Sequence, residues 1–96
     1  MLPERPSDEQ ARVKVALLDT GLDPMDAVIR RQLHRIKYKS FIPGDETDTV
    51  QKARDDNGHG TFCAALLLKV AKTADVYIAR VTVGDHLENA QYIVQV

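Results

Sequence analysis

The sequence predicts an α/β fold, a parallel sheet with crossover helices, and three observations carry that prediction. Short apolar runs alternate with longer stretches whose apolar residues recur every three or four positions. The first run stops abruptly at Asp19-Thr20-Gly21, as a buried strand does when it enters a turn. The 96 residues hold one cysteine, Cys63, so no disulfide framework replaces a packed core.

Each element follows in order. Residues 1–11 read as a polar leader, and residues 12–96 as one domain portion. Val13 to Leu18 is the first strand. Asp23-Pro24 then opens "PMDAVIRRQLHRIK", where Met25, Val28, Ile29, Leu33 and Ile36 sit at helical spacing. Its basic residues, Arg30, Arg31, His34 and Arg35, continue through Lys37 and Lys39 and read as a solvated face. "KSFI" is the second strand. Residues 43–58 combine proline, glycine and five acidic residues, so they form an exposed loop. "GTFCAALLLKVAK" is apolar on nearly every side, which predicts a helix buried all round. "ADVYIARVTV" is the third strand. Asp85 and Glu88 fit a capping box opening a last helix, with Leu87, Ala90, Ile93 and Val94 on its apolar face. Three strands cannot bury both faces of a parallel sheet. The pattern therefore reads as truncated after the third strand.

Bulk properties exclude some functions. The net charge is −1, which favours neither a nucleic-acid nor a membrane partner. No apolar run approaches the roughly 20 residues a membrane-spanning helix needs, and no apolar signal segment opens the chain. The expected setting is intracellular and cytoplasmic.

"ALLDTG" admits two chemistries. It resembles the retroviral-type aspartic proteases, in which two such turns share one proton. That family has an all-β fold and a second motif, for which "YIARV" offers alanine where glycine is needed. The helical patterns oppose it. Read together, "VKVALLDTGLD" and "DDNGHGTFCAA" resemble the aspartate and histidine motifs of the subtilisin-like serine proteases. The resemblance covers residues 13–96 and implies a partial subtilisin-like sheet.

The resemblance implies that Asp19 orients the histidine and that His59 acts as general base and then acid. Thr20, Gly21, Gly58, Gly60 and Thr61 belong to the two motifs. Asp55 matches an aspartate that stands four residues before the family's histidine, with a loop-shaping or substrate-side role. The bare glycines beside His59 keep Cβ atoms away from the imidazole and its partners. Cys63, four residues after the histidine, reads as a small buried hydrophobe and a site for mercurial or oxidative inhibition. No metal ligands are expected. Calcium is allowed by the resemblance, but residues 45–56 lack EF-hand spacing.

The nucleophile is not in the sequence. Its only serines are Ser7 and Ser40, and neither sits in the Gly-Thr-Ser-x-x-x-Pro setting of the family. The expectation is a serine endopeptidase portion that is inactive alone and takes a polypeptide substrate once the serine half is supplied. The alternative is a non-catalytic remnant acting as a peptide- or protein-interaction module.

Overall fold

A computed structural model of the chain describes residues 12–84 and the backbone of residues 92–95. The polar leader and the capping box at Asp85 lie outside the described residues.

Strand β1 (Lys14–Asp19) forms as expected. It is followed by helix α1 (Ala27–Arg31), a 3-10 turn over Leu33–Arg35 and strand β2 (Ile36–Ser40). After the acidic loop come helix α2 (His59–Val70), strand β3 (Asp75–Arg80) and strand β4 (Tyr92–Gln95). The sheet order is β2-β3-β1-β4. β3 runs parallel to both β1 and β2, so the three-stranded parallel α/β sheet is present. β4 pairs antiparallel with β1, placing Ile93 and Val94 in a strand where their spacing suggested a helix.

The first helical pattern is shorter than its periodicity suggested. Asp26 caps α1 by accepting from the backbone N–H of Val28 and Ile29, and the helix stops after five residues. The reason lies in "IKYKS". Ile36, Tyr38 and Ser40 are buried while Lys37 and Lys39 are exposed, which is a period of two. Ile36 satisfied both periods in the sequence. Packing against Val76 and Ile78 of the neighbouring β3 selects the strand. Met25, assigned to the helical face, is exposed instead.

The core lies on one face of the sheet. Leu17, Val76 and Ile78 point into it from the strands, and Ile29, Ala64 and Leu68 meet them from the helices. α2 therefore buries one side. Phe62, Leu66 and Val70 lie on its outer side and are 63%, 47% and 77% exposed. The burial all round expected of this helix is not found among the described residues, because it packs against a single sheet face. No helix among the described residues is long and apolar enough to cross a membrane.

Arg35 corrects the reading of the basic cluster as a solvated face. It is buried, and its guanidinium donates to the carbonyls of Ala74 (2.9 Å), Leu68 (3.2 Å) and Ala71. The last carbonyls of a helix have no partner within it. Arg35 supplies donors to the end of α2 and joins it to the start of β3. Arg35→Met is expected to lower stability by about 2 kcal/mol through unsatisfied carbonyls. The midpoint of urea unfolding would fall with little change in its slope.

Candidate active site

Asp19 ends β1 and is fully buried. A buried carboxylate is stable only with hydrogen-bond partners. Its Oδ1 accepts from the backbone N–H of Thr20 at 2.7 Å. His59 Nδ1 lies 2.9 Å from Oδ1 and 3.0 Å from Oδ2. With Nδ1–H donating to the carboxylate, the neutral ring carries its lone pair on Nε2. The two residues stand 40 positions apart and come from the end of a strand and the start of a helix.

The helix start is built without a capping side chain at its own cap residue, Gly58. Three other residues satisfy the first N–H groups. Asn57 Oδ1 accepts from His59 N at 3.0 Å, Thr20 Oγ1 from Gly60 N at 2.9 Å, and Asp55 Oδ2 from Thr61 N at 2.8 Å. The Asp19 turn and the acidic loop therefore cap the helix that carries His59.

Asp55 joins these parts. Its Oδ1 accepts from Thr20 Oγ1 at 2.7 Å and from the N–H groups of Gly58 and Asn57. Its Oδ2 also accepts the Thr61 hydroxyl at 2.6 Å, and Thr61 Oγ1 accepts from Asp23 N. Burial alone would raise its pKa. The bonds from Thr61, Gly58 and Thr20 outweigh that and hold the carboxyl below the ordinary aspartate range.

The glycines act differently from the sequence expectation. A Cβ on Gly60 would lie 2.4 Å from the carbonyl oxygen of Gly21, so its bareness lets the helix touch the Asp19 turn rather than clearing the imidazole. Gly58 has open space around it but takes φ 95°, a left-handed conformation that favours glycine.

Cys63 is half-buried, with Sγ 3.7 Å from His59 Nδ1 and 3.8 Å from Nε2. The sulfur thus lies beside the ring at nearly equal distances from its two nitrogens. Burial raises its pKa, and the charges of Asp19 and Asp55 add to that. Such a thiol is a poor nucleophile at neutral pH. Ser40 is also buried, and its hydroxyl donates to Asp45 at 3.2 Å rather than meeting His59.

Among the described residues, one group of potential metal-ligating side chains converges, Asp19, His59 and Cys63, with ligand atoms within 4.8 Å of one another. Its mixed oxygen, nitrogen and sulfur donors do not fit calcium, which takes six to eight oxygens. The carboxylates of the acidic loop do not form such a cage. Asp55 holds the helix start, while Asp45 and Asp56 face Arg80.

Arg80 is the site residue that sequence reasoning missed. It ends β3 in register with Asp19, is buried, and donates from Nε to the Thr20 carbonyl at 3.0 Å. It also forms an ion pair with Asp45. The available signal was alternation, because Val76, Ile78 and Arg80 share the inward face of β3.

The Subtilase family model matches residues 10–96. No curated protein matches significantly, and neither does any solved structure.

Asp55→Asn removes one carboxylate oxygen from five donors. Stability at neutral pH is expected to fall by about 1–3 kcal/mol, as for a buried donor left unsatisfied. Because the folded pKa is depressed, Asp55 stabilises the fold above the unfolded value of about 4. That contribution is lost as pH falls through the folded pKa. Denaturation series at pH 7 and pH 3 would show the gap between wild type and variant narrowing at the lower pH.

Proposed function

The chain belongs to the subtilase family, and from that premise we propose that it is the aspartate- and histidine-bearing portion of a serine endopeptidase. The supporting observation is the buried Asp19 carboxylate bonded to His59 Nδ1. The polar leader, residues 1–11, takes no part in this reading, and residues 12–96 are the peptidase portion.

In this reading Asp19 holds one tautomer of His59. The Nε2 lone pair accepts the proton of a serine hydroxyl as its oxygen attacks the peptide carbonyl. Asp19 stabilises the resulting imidazolium. The imidazolium then returns the proton to the leaving amine, and the same cycle with water releases the acyl group. Thr20, Asp55 and Thr61 bond to one another and to the first N–H groups of the helix. They hold the Asp19 turn against the start of α2, and a small displacement there is costly to such chemistry. Gly21 and Gly60 permit that approach, and Gly58 supplies the left-handed turn into the helix. The substrate class is polypeptide.

The serine comes from outside these 96 residues. Ser40 is committed to Asp45, and burial raises the pKa of the Cys63 thiol, which opposes a nucleophile's role for either. The aspartic-protease alternative does not fit a parallel sheet in which Asp19 pairs with a histidine.

The test is direct. Residues 1–96 are expected neither to hydrolyse peptides nor to react with a fluorophosphonate probe. A longer product including a Gly-Thr-Ser-x-x-x-Pro segment is expected to do both. In that product His59→Ala would lower kcat by about 10⁶, and Asp19→Asn by about 10⁴. Peptide hydrolysis by residues 1–96 that is lost on His59→Ala would place the nucleophile within this sequence and overturn the reading.

A further inference from the structure

The two edges of the sheet differ in charge. The carboxyl edge of the parallel strands carries both signs, Asp19, Asp45 and Asp56 with Arg80 and Arg54. The amino edge is basic. Arg12 precedes β1 and Lys14 begins it, Arg35 precedes β2 and Lys37 lies near its start, and Lys69 and Lys72 lie at the end of α2. These six cations come from three separate parts of the chain, with one carboxylate, Asp75, among them.

They surround two adjoining hollows of about 640 and 500 Å³, which share Arg12, His34 and Arg35 as walls. Each volume lies within the roughly 300–1,000 Å³ of small-molecule sites. Arg12 is anchored by Asp75 at 2.7 Å, and Arg35 by backbone carbonyls, so both are fixed positive walls. Burial and, after it, the neighbouring Arg12 charge hold Arg35 below the ordinary arginine pKa, while Asp75 acts in the other direction. Lys14, Lys37, Lys69 and Lys72 make no ion pair among the described residues. Like charges gathered in this way repel one another, and an anion bound between the lysines relieves that repulsion.

We propose that this edge binds a compact polyphosphate, a small ligand carrying several phosphate charges. An extended acidic peptide spreads its carboxylates over about 3.3 Å per residue, whereas Arg12, Arg35, Lys69 and Lys72 border one hollow, with Lys14 and Lys37 at the second beside it. Lysine binds phosphate as a point charge, while Arg12 and Arg35, whose forks are engaged by Asp75 and by backbone carbonyls, add positive charge behind it. The site lies at the opposite end of the strands from Asp19 and His59 and does not depend on the catalytic reading.

The probe is sodium tripolyphosphate, titrated calorimetrically into the 96-residue chain at low and high salt, with orthophosphate and hexaglutamate as comparisons. Tripolyphosphate is expected to bind at least about tenfold more tightly than orthophosphate, since each added charge-assisted contact is worth about that factor. Affinity should fall steeply with salt, as screening requires. The double variant Lys69→Glu/Lys72→Glu changes two exposed side chains at the hollow and should weaken binding by at least about tenfold. Lys52→Glu, away from both hollows, should leave it unchanged. Absence of binding at low salt would overturn the proposal. So would equal weakening by Lys52→Glu, no response to the double variant, or tighter binding of hexaglutamate. Circular dichroism of each variant separates lost binding from lost fold.

Discussion

The buried carboxylate of Asp19 is the constraint around which the molecule is arranged. A charge with no exposed surface must be met by donors from its own structure. Thr20 provides one from the adjacent backbone, and His59 provides the other from a helix 40 residues away. That second bond requires the start of α2 to sit against the end of β1. The direct Gly21–Gly60 approach, the Thr20 hydroxyl and the Asp55 carboxylate together establish that contact.

The same contact explains why the helix needs no conventional cap. Asn57, Thr20 and Asp55 each take one of the first N–H groups, so the capping oxygens come from the loop and from the partner turn. Helix position and strand position become one problem with one solution. At the far end of α2, Arg35 does the equivalent work by donating to Leu68 and Ala71 and onward to Ala74. Two arginines thus fasten the sheet at opposite edges. Arg35 holds the amino edge, and Arg80 holds the carboxyl edge through Thr20 and Asp45.

Much of this could be read in the sequence, and the failures have identifiable causes. β1, α2 and β3 are each dominated by a single pattern, and each appears within a few residues of its expected limits. Residues 24–40 carry two patterns at once. Ile36 fits a helical face and an alternating strand equally, and its burial against β3 decides between them. α2 looked suited to burial on every side because its sequence is apolar all round, yet only one sheet face meets it. Arg35 and Arg80 were obscured because cationic residues are usually solvated. Their burial depends on carbonyls and carboxylates remote in the sequence.

The sequence by itself determined the chemistry available at the site, namely a carboxylate ending a strand and a histidine between glycines opening a helix. Residue identity and local backbone conformation set these features, and both are legible over a few positions. The tertiary structure alone decided which oxygen faces which nitrogen, and that Gly60 is bare to admit Gly21 rather than to clear the imidazole. It also decided that cations from three parts of the chain border the same hollows. Each of these is a distance between distant segments, set by how the sheet packs, and no local pattern encodes it.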